Sequence, residues 1–252
     1  MTNVLVCIKR VPDAAGEVLL TADEQALDAR FVGFTVSAHE NCAVELAVRI
    51  GDATVLSLGP ADTVEQLRGA LGVGAKAAVL IEADPVGFGP ADIAREIAAV
   101  VKAHEAEGKT YDLILLGNDA ADTGDFQVGI RVAYELGLPV VTGVRTFHLH
   151  GDRVVATGDG PDGTEIFELE LPAVLTVKEG GITPRYPSIP GRLKAKRAAV
   201  EVITPPGTPS GTGRVRLALP PEQPSSVEIL GTGPEAAKAV VDLLVRVGVV
   251  AQ

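Results

Sequence analysis

Tryptophan is absent from this chain of 252 residues, methionine occurs once and cysteine twice. Each scarcity removes a class of function. With aromatic residues at 4%, no stacking platform for single-stranded nucleic acid is on offer. Cys7 and Cys42 stand alone, without Cys-x-x-Cys or Cys/His spacing. They argue against a disulfide framework and fit a reducing cytoplasm. Cations are outnumbered, 22 Lys and Arg against 33 Asp and Glu, for a formal net charge of -11. A field of that sign repels phosphate backbones and anionic membranes, so nucleic acid is not an expected partner. No apolar stretch nears the roughly 20 residues of a membrane span. The opening run MTNVLVCI meets Lys9 and Arg10 at once, so neither membrane insertion nor a signal-peptide core is expected.

What is present is a core. Hydrophobic residues make up 46% of the chain, enough for one large domain or a domain with an appendage. Asn3–Ile8, Ala53–Leu58, Ala77–Ile81 and Asp112–Leu116 are short apolar runs of strand length. Helical spacing separates them: Ala43, Leu46, Ala47 and Ile50 share one face with Ser37 as N-cap; Val64, Leu67 and Leu71 share another. Ile93, Ile97 and Val101 mark a third helix starting near Pro90, and Gln127–Leu136 a fourth. Strands alternating with helices predict right-handed βαβ units, an α/β doubly wound parallel sheet.

Beyond Pro139 the texture changes. FHLHGDRVVATGDGPDGTEIFELELPAVLTV alternates polar and apolar positions and turns at Gly151-Asp152 and at GPDG, which predicts an antiparallel hairpin extending or flanking the same sheet. After Ile203 the composition becomes a Pro/Gly/Ser linker, and the chain closes with a helix carrying Ala236, Val240, Leu243 and Leu244 on one side. Residues 1–203 are thus expected as the α/β domain, and 204–252 as a linker with a helical arm built for docking.

Ligands of open parallel sheets bind beyond the carboxyl ends of the strands. Three such ends are suggestive here: Cys7-Ile8-Lys9, Ser57-Leu58-Gly59-Pro60 and Gly117–Asp125. The last runs as GNDAADTGDFQVG straight into a helix, whose open N–H groups suit a phosphate; ordinary capping explains the same residues as well. Neither a G-x-G-x-x-G fingerprint nor a P-loop is present, which disfavours a Rossmann dehydrogenase and a P-loop ATPase. His148 and His150 share a strand face, but no third ligand lies near them in sequence. Asp119, Asp122 and Asp125 have no nearby His or Lys in sequence and read as a solvated cap. A basic, proline-rich stretch, PRYPSIPGRLKAK from Pro184 to Lys196, stands out in an acidic chain and reads as a stiff loop.

Five segments, in order, carry a resemblance: VLVCIKRVPD, AVELAVRI, LSLGPADTVEQLRGALGVGA, LLGNDAADTGDFQVGIRVAYELGLP and LPAVLTVKEGGITPRYPSIPGRLKAK. Together they resemble the β subunit of electron transfer flavoproteins over nearly the whole chain. The resemblance implies a Rossmann-like fold of the adenine nucleotide alpha hydrolase kind. It also implies a heterodimer with an α subunit, an FAD held mainly by that subunit, and a structural AMP in the β subunit. By position, the AMP pocket would comprise Cys7, Ser37, Ala38, His39, Glu40 and Leu58. It would continue through Asp122, Thr123, Gly124, Asp125, Phe126, Gln127, Val128, Gly129, Ile130, Arg131, Val132 and Ala133, with the phosphate near Gln127–Gly129.

The stretch 184–196 would be the recognition loop for acyl-CoA and related dehydrogenases, through Pro184, Arg185, Tyr186, Ile189 and Lys194. Ile189 would enter a pocket on the partner while Lys194 pairs with acids. A quinone oxidoreductase would then accept the electrons, and the chain itself would be a carrier subunit, not an enzyme.

Four places depart from the family pattern. Ser37-Ala38-His39-Glu40 stands where Asn-Pro-aromatic-acid is usual, Phe126 and Val128 stand for Asn and Thr, Ala14 replaces an aromatic residue near the flavin, and TGDGPDGTE loosens the Asp-Gly-Gly signature. Two alternatives stay open: an electron-bifurcating β subunit with a second FAD in place of AMP, and a stand-alone adenine-nucleotide sensor.

Overall fold

Strand β1 (Thr2–Cys7) buries Val4, Leu5 and Val6 completely, so both of its faces must be covered. The computed structural model describes residues 2–13, 18–205, 207–213, 215–221 and 227–250. Ala14 and parts of the expected linker lie outside these. The chain forms two compact units, Met1–Leu217 and Ala218–Gln252.

In the first unit, β1 is followed by a short antiparallel pair, β2 (Val11–Pro12) and β3 (Phe34–Thr35). Then come α1 (Ala38–Ile50), β4 (Gly51–Gly59), α2 (Val64–Val73), β5 (Ala77–Glu82), α3 (Pro90–Ala106), β6 (Leu113–Gly117) and α4 (Val128–Leu136). The chain continues through β7 (Val140–His150), β8 (Arg153–Gly160), β9 (Gly163–Glu170), β10 (Ala173–Val177), α5 (Ile189–Arg197) and β11 (Glu201–Ile203). Nine strands form one sheet in the order β11-β5-β4-β1-β6-β10-β7-β8-β9. Pairing is parallel from β11 to β7, and antiparallel between β7 and β8 and between β8 and β9. This is the α/β, mostly parallel fold expected.

Helices α1 and α2 cover one face, where Ala43, Ala47 and Leu67 meet Val4, Val6, Leu115 and Leu175. On the other face, Ala94 and Ile97 of α3 and Val132 and Ala133 of α4 meet Leu5, Val79, Ile114 and Val174. Both cores are chiefly aliphatic, with Phe147 in the first and Tyr111 in the second. The Ser37 cap of α1 forms as expected and closes into a capping box: Ser37 Oγ accepts the Glu40 N–H at 3.2 Å, and Glu40 Oε2 accepts the Ser37 N–H at 3.0 Å.

Three features differ from the sequence expectation. AVLTV, read with the alternating hairpin, is the central strand β10, parallel to β6 on one side and β7 on the other. All five of its residues are buried. The strict alternation of FELEL just before it masks the change from a one-faced to a two-faced strand. Second, β11 adds a parallel edge strand beside β5, where the sequence suggested only the approach to the linker. Third, the basic stretch from Pro184 is extended only to Ser188 and then becomes α5. Ser188 Oγ accepts the Gly191 N–H at 3.1 Å, and Pro190 sits in the first turn, where its missing N–H leaves no bond unmade.

Residues after β11 stay with the first unit. The Ser210 and Gly211 N–H groups donate to the buried carboxylate of Asp92 at 3.0 and 3.2 Å, and the Leu217 N–H to the Glu24 carbonyl at 2.8 Å. The second unit contains α6 (Ala236–Arg246), none of whose residues is buried, with Val240 and Val241 exposed.

If β10 is central, Leu175→Ala should cost about 3 kcal/mol of unfolding free energy. On the outer strand β9, where the side chain is 70% exposed, Ile166→Ala should change it by no more than about 0.5 kcal/mol. Urea unfolding monitored by circular dichroism measures both, and equal costs would contradict the assignment.

Candidate functional site

Chain order reverses between β1 and β6. From β1 the chain moves to β4 and β5 on one side, then returns through α3 to β6 on the other. The loops leaving the carboxyl ends of β1 and β6 therefore diverge, and the crevice between them is the ligand position of such sheets. The residues that border it come from four places. Cys7 ends β1, Leu58 lies near the end of β4, and Ser37, Ala38, His39 and Glu40 start α1. Asp122, Thr123, Gly124, Asp125, Phe126 and Gln127 form the loop from β6 to α4, which Val128, Gly129 and Ile130 begin. The expected site residues thus assemble along one sheet edge, with three exceptions in side-chain orientation. Val132 and Ala133 are fully buried in the core, and Arg131 turns back to Gln127 Oε1 at 2.8 Å.

Glu40 is the electrostatic centre of the crevice. Its buried carboxylate accepts the Lys9 N–H on Oε1 at 2.7 Å and the Ser37 hydroxyl on Oε2 at 2.8 Å. Burial pushes its pKa up to about 7, while hydrogen bonds from Ser37 and Lys9 pull the other way. The strand end that passes Glu40 has to be glycine: a Cβ on Gly117 would lie 2.9 Å from Glu40 Cγ and 3.4 Å from His39 Cβ. Burial, reinforced by Glu40, also drives the Cys7 thiol far above its ordinary pKa, so it is inert as a nucleophile.

Two of the three acids of the β6–α4 loop have basic companions that are distant in sequence. Lys9 Nζ meets Asp122 Oδ1 at 2.5 Å, and His39 Nδ1 meets Asp119 Oδ1 at 2.6 Å. Both companions arrive from the far side of the crevice, from the loop after β1 and the start of α1. Proximity in sequence could not reveal pairs that only the switch in strand order brings together. Lys9 was visible as the first cation after a buried strand, but that alone does not name its partner.

Two polar features near the strand ends stand open. No side chain caps α4, so the N–H groups of its first turn have no side-chain acceptor. Beside Leu58, the Ser57 hydroxyl is buried without a hydrogen-bond partner among the described residues. Asn118 holds the neighbouring strand ends: its Oδ1 accepts the Gly143 N–H and the Thr176 hydroxyl, each at 2.8 Å. A cavity of about 450 Å³ opens on the outer flank of α4, where Gln127, Ile130 and Arg131 of the expected site line it together with Ala91, Tyr134 and Glu135. His148 and His150 are both exposed on β7, and among the described residues no group of three or more His, Cys, Asp or Glu side chains could hold a metal.

The basic segment presents a second surface. Tyr186 and Ile189 are 91% and 77% exposed, and Leu193, one turn along α5 from Ile189, is 62% exposed. Lys194 is exposed as well and Pro184 half-buried. Arg185 instead turns its guanidinium inward, to Glu45.

Comparison with known proteins meets this geometry. A family model described as an electron transfer flavoprotein domain matches residues 28–207. The electron transfer flavoprotein subunit beta of Thermoanaerobacterium thermosaccharolyticum is 35% identical over 208 residues, 80% of this chain and 78% of that protein. The human protein of the same name is 33% identical over 212 residues, 81% of each chain, and that of Syntrophomonas wolfei 30% identical over 234 residues, 90% of this chain and 89% of that one. The chain belongs to the electron transfer flavoprotein β-subunit family. The span of the electron transfer flavoprotein domain takes in the crevice loop and the basic segment. Cys7 and Lys9 precede it.

The raised pKa of Glu40 has a defined consequence for stability. Below about pH 4.5 the carboxyl is protonated in folded and unfolded chains alike; from there to about 7 the unfolded chain ionises first. Glu40 therefore loses the folded protein stability as pH rises through this window, about 3 kcal/mol. The stability difference between wild type and Glu40→Gln should accordingly shift against the wild type between acid and neutral pH, as denaturant titrations at several pH values would read. A shift in the wild type's favour would mean that the Ser37 and Lys9 bonds outweigh burial.

Proposed function

We propose that this chain is the β subunit of a heterodimeric electron carrier. Family membership carries the reading. In it, the chain pairs with an α subunit that holds most of an FAD, receives electrons from acyl-CoA and related dehydrogenases of fatty acid oxidation, and passes them to a quinone oxidoreductase. The bound flavin supplies the one- and two-electron chemistry. This chain's own residues bind and orient. Buried, unbridged Cys7 and Cys42 fit a reducing cytoplasm.

The crevice is read as the site of a structural AMP. The uncapped start of α4, at Gln127, Val128 and Gly129, suits its phosphate. The buried Ser57 hydroxyl and the main chain around Cys7, Leu58 and Ser37–Glu40 supply polar groups for the nucleoside. Lys9, now paired with Asp122, is a cation of the crevice that can exchange that partner for a phosphate. Substitution of Phe126 and Val128 at positions where the family pattern has Asn and Thr leaves the phosphate held chiefly by main-chain N–H groups.

The segment Pro184–Lys196 is read as the docking surface for dehydrogenases. Ile189 and Leu193 form a small apolar anchor, and Lys194 with Arg192, Lys196 and Arg197 a basic rim. A small anchor inside a charged rim gives fast association with modest affinity, as a shuttle requires. The helical arm within residues 204–252 is read as docking on the α subunit, which would cover the exposed apolar residues of α6.

Purification together with the α subunit, denaturation, and chromatography of the released nucleotides tests this. One FAD and one AMP per heterodimer is the expected result. Two FAD and no AMP would replace it with the bifurcating type, and absence of both flavin and complex would leave the sensor.

A further inference from the structure

Glu45 lies in the middle of α1, and its side chain is 0% exposed, yet it takes no part in the crevice. Its carboxylate faces the segment that precedes α5. The Arg185 N–H donates to Oε2 at 3.1 Å, Arg185 Nε to Oε2 at 2.8 Å and Arg185 Nη2 to Oε1 at 2.8 Å. Arg49 Nε, one helical turn along, completes the set on Oε1 at 2.6 Å. Burial alone would raise the pKa of this carboxyl, but the Arg185 and Arg49 bonds hold it near 2. On the other side of Tyr186 the chain is fixed again. Pro187 packs on Gly72 of α2, where a Cβ would lie 3.1 Å from the Pro187 ring, and a Cβ on Gly191 would lie 2.5 Å from the Gly72 carbonyl oxygen. Exposed Tyr186 therefore stands between two anchored neighbours, with Ile189 and Leu193 beyond them.

We infer that Glu45 is a positioning residue for dehydrogenase docking: through its fork with Arg185 it presets the segment Pro184–Lys196 in the shape that projects Tyr186, Ile189 and Leu193. The inference rests on the proposed reading of that segment. An exposed ion pair would contribute little, because water replaces either partner at small cost. A fully buried carboxylate has no such substitute, and releasing Arg185 would leave it with Arg49 alone. One arrangement of the segment is therefore strongly favoured, and a preset segment loses less conformational freedom on docking. Glu45 acts through Arg185, and the apolar trio meets the partner.

The test uses the FAD-loaded αβ complex as wild type, Glu45→Gln, Arg185→Lys and Ile189→Ala. An acyl-CoA dehydrogenase with its acyl-CoA substrate reduces each, and dithionite serves as a reductant that needs no docking. Glu45→Gln is expected to raise the KM for the flavoprotein about tenfold, with kcat, FAD content and dithionite reduction within about twofold of wild type. Arg185→Lys should fall between, since an ammonium keeps the charge and loses the fork. Hydrogen exchange should quicken in Glu45→Gln over amides 183–197 and not in β1 or β6, while Ile189→Ala raises KM without changing exchange. An unchanged KM in Glu45→Gln, or a loss in kcat and FAD content instead, overturns the inference. If dithionite reduces the wild type and the dehydrogenase does not, the reading of the segment as a docking surface fails. The tether is then judged by exchange alone, where local acceleration upholds it, and no change or a sheet-wide one overturns it. Should Glu45→Gln fail to fold, Arg185→Gln takes its place with the same expectations.

Discussion

The burial of β1 on both faces is the constraint on which the rest of the molecule depends. Val4, Leu5 and Val6 leave nothing to solvent, so helices must cover both sides of the strand. The chain meets this by sending α1 and α2 to one face and α3 and α4 to the other. Because right-handed crossovers to opposite faces run in opposite directions along a sheet, strand order has to reverse beside β1. The crevice between β1 and β6 is the geometric result of covering an apolar strand.

Polar chemistry then collects where the sheet opens. Glu40 closes the capping box of α1 and also takes the N–H of Lys9 as the chain leaves β1, so one carboxylate joins helix start and strand end. Its burial is tolerated because three donors surround it. The pairs Lys9–Asp122 and His39–Asp119 link the two diverging loops across the crevice. Each pair is partly exposed and contributes little to stability. Their weight lies in where they hold the loop that leads to the open N-terminus of α4.

A second buried carboxylate, Glu45 on the same helix, performs the corresponding task for the basic segment. Helix α1 therefore touches both surfaces to which function is attributed: its first turn borders the crevice, and its middle anchors Arg185. The tight approach of Gly72 and Gly191 seats α5 on α2 from the other side. What read in sequence as a stiff cationic loop is a short extended approach followed by a short helix.

Local patterns made the four βαβ strands, their helices and the Ser37 cap legible, because apolar runs and helical spacing record burial on a face directly. They also placed the open helix start at Gln127 at the carboxyl edge of a parallel sheet. The strand β10 escaped because alternation in FELEL continued the hairpin pattern up to its first residue, and β11 because three edge residues carry too little burial to stand out. Motif order across the chain carried the family. Tertiary structure alone decided the pairings: Lys9 with Asp122, His39 with Asp119, Glu45 with Arg185. Each joins residues far apart in sequence, and charge, unlike hydrophobic periodicity, leaves no trace of its partner until folding brings the two together.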